Sequence, residues 1–163
     1  MLADYTSIAS VRSILGTTER ELPNEFLSDE LFEMALLDEL VVISETVAAG
    51  TDLAGEFLAL PSSTTTSEEA EFFRGMKLFA SHFIALKCLS AVPELSPVMI
   101  TDSKATMKKD KADAAARIAA SASKYRRRLQ EVGAAFLGLA APAAPVSDLL
   151  SVSSPGFDPV VGA

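Results

Sequence analysis

His82 is the single histidine of this 163-residue sequence, so it is the one residue of the type that most often serves as a general base. A Ser-His-Asp or Cys-His catalytic system also needs a nucleophile in a recognisable motif, and none adjoins the Ser81-His82-Phe83 stretch. The surrounding residues are apolar and helix-forming. This context favours a histidine that is hydrogen-bonded within a helix, and we therefore predict no catalytic residue and a protein that is not an enzyme.

Ligands for a metal or a cofactor are also scarce. Cys88 is the only cysteine, which excludes an internal disulfide and a cysteine-rich zinc site. A single cysteine is typical of a protein that folds in a reducing cytoplasm. We predict that Cys88 is buried and packs as a small hydrophobic residue. Acidic pairs occur at Asp29-Glu30, Asp38-Glu39 and Glu68-Glu69, but adjacent carboxylates on a helix point in different directions. No glycine-rich phosphate-binding loop is present. We predict no metal and no cofactor; an enzyme that holds a metal with acidic helices is the least favoured alternative.

The charges are distributed very unevenly along the chain. The net charge is -8, yet residues 1–103 carry 5 basic and 17 acidic side chains, whereas residues 104–128 carry 9 basic and 2 acidic ones. The last segment, residues 129–163, carries 3 acidic side chains and no basic one. The molecule is therefore strongly dipolar, and simple wrapping of nucleic acid is disfavoured.

The basic segment 104–128 is the clearest candidate binding surface. Its cationic residues are Lys104, Lys108, Lys109, Lys111, Arg117, Lys124, Arg126, Arg127 and Arg128. They could contact DNA phosphates or an acidic protein surface, or they could form a solvated helix face. A further interpretation is that this face meets the acidic face of a second copy in a ring, where opposite charges would set the orientation.

Hydrophobic spacing and capping signals predict five helices, at residues 6–16, 23–48, 51–60, 66–92 and 109–140. The clearest is the fourth, because Thr66 and Glu69 have the spacing of a capping box. Its apolar positions Phe72, Met76, Phe79, Phe83 and Leu86 then follow at intervals of 4 and 3. Residues 93–108 contain two prolines and β-branched residues, which predict an extended loop with room for a short hairpin.

Composition agrees with a helical fold. The hydrophobic fraction is 49%, aromatic residues make up 7% and tryptophan is absent, so the core must consist mainly of Ala, Leu, Val and some Phe. We predict one all-α domain at residues 1–140, a bundle of about four to five helices with a long C-terminal helix. No signal peptide or long apolar span is evident, which predicts a soluble, unexported protein with no membrane partner.

Residues 141–163 are predicted to form an extended C-terminal tail, because four prolines interrupt regular structure there. The tail also contains apolar side chains that could bind a partner surface: Leu149, Leu150, Val152, Phe157, Val160 and Val161. These residues are candidate contacts with another subunit or with a different protein.

The order of these elements resembles that of the small head-to-tail connector proteins of tailed bacteriophages, also called adaptor or head completion proteins. The resemblance spans about residues 5–140. It rests on residues 5–16 (YTSIASVRSILG), residues 19–23 (ERELP), the Phe72-Phe73 helix, residues 100–105 (ITDSKA) and the long basic helix with Tyr125-Arg126.

The resemblance implies a structural virion protein, assembled in the bacterial cytoplasm, that forms a homo-oligomeric ring in the phage neck, commonly of twelve copies. It implies that the portal protein binds a C-terminal helix or extension, that the next neck or tail protein binds the opposite face, and that DNA passes through the lumen without sequence-specific contact. The alternative is a small helical regulator or nucleic-acid-associated protein whose contact surface is the basic segment 104–128.

Overall fold

A computed structural model describes residues 2–20, 22–27, 30–60, 66–91 and 104–139, and these ranges are all-α with no β-strand. The helices are α1 (Leu2–Tyr5), α2 (Ile8–Leu15), α3 (Asn24–Leu27), α4 (Glu30–Val47), α5 (Leu53–Ala59), α6 (Ser67–Ala91) and α7 (Lys104–Phe136). The predicted all-α bundle with a long last helix is confirmed. The predicted tail, residues 141–163, lies outside the described ranges.

The short helices begin and end at residues that the sequence marks. Ser7 caps α2 by accepting a hydrogen bond from the backbone N–H of Ser10, and Gly16 ends the helix with a φ of 66°. Asp52 caps α5 in the same way, by accepting from the N–H of Gly55. These side chains satisfy backbone groups that a helix end leaves unpaired. The predicted stretch 23–48 is divided into α3 and α4, between which residues 28 and 29 lie outside the described ranges.

The capping box of α6 is confirmed by a reciprocal pair of bonds. The Thr66 hydroxyl accepts from the N–H of Glu69 at 3.2 Å, and the Glu69 carboxylate accepts from the N–H of Thr66 at 3.0 Å. Helix α6 then continues to Ala91, close to the predicted end.

The predicted start and end of the last helix were wrong by a few residues. Helix α7 begins at Lys104, so residues 104–108 are helical and not part of the predicted loop. Lys, Ala and Met favour helices, and both prolines of that loop precede residue 104. The helix ends at Phe136 and not near residue 140, because Gly138 adopts a φ of 67° and the N–H of Leu139 bonds to the carbonyl of Ala134 at 2.8 Å. This bond closes the helix as a Schellman motif.

Helices α6 and α7 run antiparallel and form the centre of the bundle. The rings of Phe72 and Phe136 stack 4.7 Å apart at one end, and the rings of His82 and Tyr125 lie 4.5 Å apart farther along. The backbones approach closely at Gly75, where an added Cβ would lie 2.9 Å from a methyl group of Val132. Glycine therefore allows this helix pair its short separation.

Helices α4 and α5 cover this pair and join the same core. Leu36, Leu40 and Ile43 of α4 are fully buried, as is Leu53 of α5. Buried Ser44 links the two helices, because its hydroxyl donates to the carbonyl of Leu40 and accepts from the N–H of Leu53 at 3.1 Å. The core is mainly aliphatic with a cluster of Phe rings, as composition predicts.

Candidate subunit interface

His82, the predicted structural histidine, is half-buried on α6. Its Nδ1 lies 2.9 Å from the carbonyl oxygen of Leu78, one turn earlier, and its ring packs against Tyr125. Both contacts hold the imidazole along the helix surface. The absence of catalysis remains a prediction, but the described contacts of this histidine are of the kind that maintain packing.

Cys88 is buried in the core between α6 and its neighbours. Burial raises the pKa of its thiol to about 12, since the thiolate would lose its hydration. Within the described ranges, no cluster of three or more His, Cys, Asp or Glu side chains has an arrangement that could hold a metal ion.

The predicted basic residues fall into two groups on α7. Lys104, Lys108, Lys109 and Lys111 belong to the first two turns, and their side chains lie outside what the structure describes. Arg117, Lys124, Arg127 and Arg128 are exposed, whereas Arg126 is half-buried. The exposed cations therefore lie on the solvent-facing part of α7, and Arg128 reaches back to α6.

Three of the arginines form ion pairs within the chain, which the sequence did not predict. Arg126 contacts Glu39 of α4 at 3.0 Å, and Arg128 contacts Glu71 of α6 at 2.6 Å. Arg127 pairs with Glu131, one turn along α7, at 3.3 Å. These contacts neutralise part of the basic segment internally. In the described part of the chain, Arg117 and Lys124 have no such ion pair, so they are the cations best placed to bind a partner.

The apolar tail residues Leu149, Leu150, Val152, Phe157, Val160 and Val161 lie outside the described residues, so their role in binding a partner stays a prediction.

A surface that the sequence analysis missed lies on α4. Its core-facing side chains are buried, yet four large apolar side chains on its opposite side are exposed: Leu31 (69%), Met34 (59%), Val41 (62%) and Val42 (51%). We name these four residues, together with exposed Asp38 and Glu45, the α4 strip. A helix that is apolar on all sides is normally buried, and exposed apolar patches commonly mark interfaces. The signal was present in the sequence, because α4 has apolar residues on both faces and no basic residue.

A second exposed surface lies between α2 and α6. It is an open groove of about 690 Å³ whose lining includes Ile14 of α2 and Phe73, Leu78 and His82 of α6. Lys77 also lines the groove, and its ammonium lies 5.4 Å from the ring centre of Phe73 and donates to the carbonyl of Asp4. Burial lowers the pKa of Lys77, an effect that nearby Asp4 opposes. The groove is open to solvent and its lysine is already engaged, so the α4 strip is the stronger candidate interface.

None of the described helices is both long enough and apolar enough to cross a lipid bilayer. No protein-family model, curated protein or solved structure matches this chain.

Proposed function

We propose that this chain is a structural subunit that works by assembling with other proteins, and specifically that it forms the adaptor ring between the portal and the tail in the neck of a tailed bacteriophage. The observation that carries the proposal is the α4 strip. Four large apolar side chains on one helix are more than half exposed, and burial of that area in an assembly would be favourable by about 25 cal/mol for each Å² removed from water.

The charge distribution supports the same proposal. The strip is acidic, and the exposed face of α7 is basic, so copies of the chain carry complementary surfaces on different helices. Opposite charge on two patches orients subunits relative to one another and suppresses wrong pairings. The internal ion pairs of Arg126 and Arg128 leave a smaller basic patch than the sequence implies, centred on Arg117 and Lys124.

The proposed function also includes the passage of DNA through the ring. A ring in the neck would conduct DNA through its lumen, and a net charge of -8 would let the phosphate backbone pass without binding tightly. The portal protein and the next neck or tail protein would bind the two open faces of the ring, with residues 141–163 as the proposed contact for the portal.

The deciding experiment is a mass measurement by light scattering on the full chain, alone and mixed with the portal protein of the same phage. A discrete ring, or a discrete complex with the portal, would support the proposal. Loss of the complex in a chain that ends at Ala141 would assign portal binding to the tail. A monomer that does not bind the portal protein and is retained on DNA at low salt would overturn the adaptor function.

The second candidate is a helical regulator or nucleic-acid-associated protein. It is favoured by the exposure of Arg117 and Lys124 and by the four lysines in the first turns of α7. It requires DNA binding that weakens steeply as salt rises, because counterions are released when phosphates are neutralised. Substitution of Arg117 and Lys124 by glutamate would weaken that binding and reduce its salt dependence if this function were correct.

A further inference from the structure

The α4 strip and the outer face of α7 have the same spacing along their helices. On α4, one row of exposed positions is Leu31, Met34, Asp38, Val41 and Glu45, with exposed Val42 beside it. On α7, one row of exposed positions is Arg117, Ala120, Lys124 and Arg127, followed by half-buried Glu131. Each series has intervals of 3, 4, 3 and 4, so each forms one straight stripe along about four helical turns. Asp38 is the middle position of the first stripe, and Lys124 is the middle position of the second.

These two stripes cannot meet within one subunit. Helix α4 turns Leu36, Leu40 and Ile43 towards the core, and α7 turns Ile118 and Leu129 towards it. The two stripes lie on the opposite sides of those helices and face outwards. A contact between them therefore requires a second copy of the chain.

We propose that the α4 strip of one copy docks on the outer face of α7 of a second copy. The central Asp38 would face Lys124, whichever way the two helices run. In either direction, Met34 and Val41 would lie against Ala120 and the aliphatic stem of Arg127. This inference deepens the proposed function. It rests on that function only for the step in which the repeated contacts close into a ring.

Charge selects this occupant over the simplest alternative, a twofold pairing of two α4 strips. That pairing would bring Asp38 and Glu45 against the same acids of the other copy, with no basic residue anywhere on α4 to compensate. Like charges in an interface are destabilising. By contrast, Lys124 is exposed and has no ion pair within the described ranges, so docking gives it a partner. Because two different patches meet, the contact can repeat from copy to copy.

The test is disulfide crosslinking between full-length variants mixed in pairs under a mild oxidant. An A120C variant is mixed with M34C in one sample and with V41C in another. Helices that run parallel bring position 34 to position 120, and helices that run antiparallel bring position 41 to it. The control mixes A120C with A59C, an exposed position on α5. Native Cys88 stays in every variant, since it is buried.

The expected result is that one of the two test pairs gives a linked dimer well above the control, identified by mass spectrometry of the linked peptides. Both pairs at the control level, or M34C crosslinked mainly to itself, would overturn the inference. If the chain's own residues 140–163 covered the α4 strip, both test pairs would stay at the control level. A charge exchange supplies the second readout: D38K or K124D alone should weaken association about tenfold, and a mixture of the two variants should restore it.

The two proposals fail separately. A discrete complex with the portal, without crosslinks above the control, would overturn this interface and leave the adaptor function standing. Crosslinks of the expected pair in a chain that the portal never captures would support the interface and count against the adaptor function.

Discussion

The guanidinium group of Arg126 on α7 lies 3.0 Å from the carboxylate of Glu39 on α4, an ion pair between the basic and the acidic parts of one chain. From the sequence, the three consecutive arginines 126–128 could be expected to face another subunit. In the folded chain each of them contacts an acid of its own subunit. The complementary charges of the sequence therefore act first within the monomer, and only part of the basic face is left for a partner.

The Arg126–Glu39 pair should contribute modestly to stability, because both side chains are partly exposed. We expect R126E to lower the free energy of unfolding by about 0.5–1 kcal/mol, since it removes the attraction and places two carboxylates side by side. The exchange R126E/E39R should recover most of the loss. Urea denaturation measures it, with R117E as the matched control at an exposed arginine without an ion pair in the described chain. Equal losses in R126E and R117E would show that the pair is unimportant.

Much of the fold could be predicted because its signals are local. The cap at Asp52, the capping box at Thr66 and Glu69, and the left-handed glycine at residue 16 each depend on a few neighbouring residues, and the predicted capping box is confirmed. The start of α7 was wrong because the β-branched residues near position 100 were given too much weight relative to the strong helix formers that follow.

The candidate interface could not be predicted in the same way. Helix α4 is apolar around most of its circumference, so its periodicity does not tell which stripe faces the core. Leu36 and Leu40 are buried while Met34 and Val41 are exposed, because of the way in which α4 packs on α6 and α7. Likewise, the partners of Arg126 and Arg128 come from distant parts of the sequence, and only the tertiary structure brings them together.

Ser44 should be the polar core residue whose loss is most costly at the α4–α5 junction. The S44A variant would leave the N–H of Leu53 without its acceptor in a buried site, and we expect a loss of about 1–3 kcal/mol in unfolding free energy. The control is T46A, because Thr46 makes the same bond to the carbonyl four residues earlier but is exposed. Denaturant unfolding measures both variants. Equal losses of unfolding free energy in S44A and T46A would contradict the prediction.

Gly75 should be required for the close approach of α6 to α7. In G75A the new Cβ would lie 2.9 Å from a methyl group of Val132, a stiff β-branched side chain that cannot move aside easily. We expect the crowding, about 1–3 kcal/mol, to outweigh the gain in helix propensity. In a V132A background the same change should become stabilising by about 1 kcal/mol, because only the propensity gain is left. A double-mutant cycle measured by thermal or urea unfolding checks this, and additive effects would contradict it.

Cys88 should be unreactive in the folded protein. Burial raises the pKa of its thiol from an ordinary value of 9.0 to about 12, so the native chain holds almost no thiolate at pH 8. We expect a thiol reagent such as iodoacetamide to label Cys88 only after denaturant unfolds the chain, with S90C as a control that labels at once because position 90 is exposed.

The same pKa difference predicts how stability changes in alkali. Because the folded pKa of Cys88 lies above the unfolded one, its contribution to stability is fully present below pH 9 and is lost as the pH rises towards 12. Burial and the nearby carboxylates of Asp4, Asp52 and Glu33 raise the pKa of the Tyr5 hydroxyl, which acts in the same direction. The C88A variant, although weakened by lost packing, should therefore lose less stability between pH 8 and pH 10.5 than the unchanged chain. Parallel pH profiles for the two proteins would show that the thiol does not titrate as its burial requires.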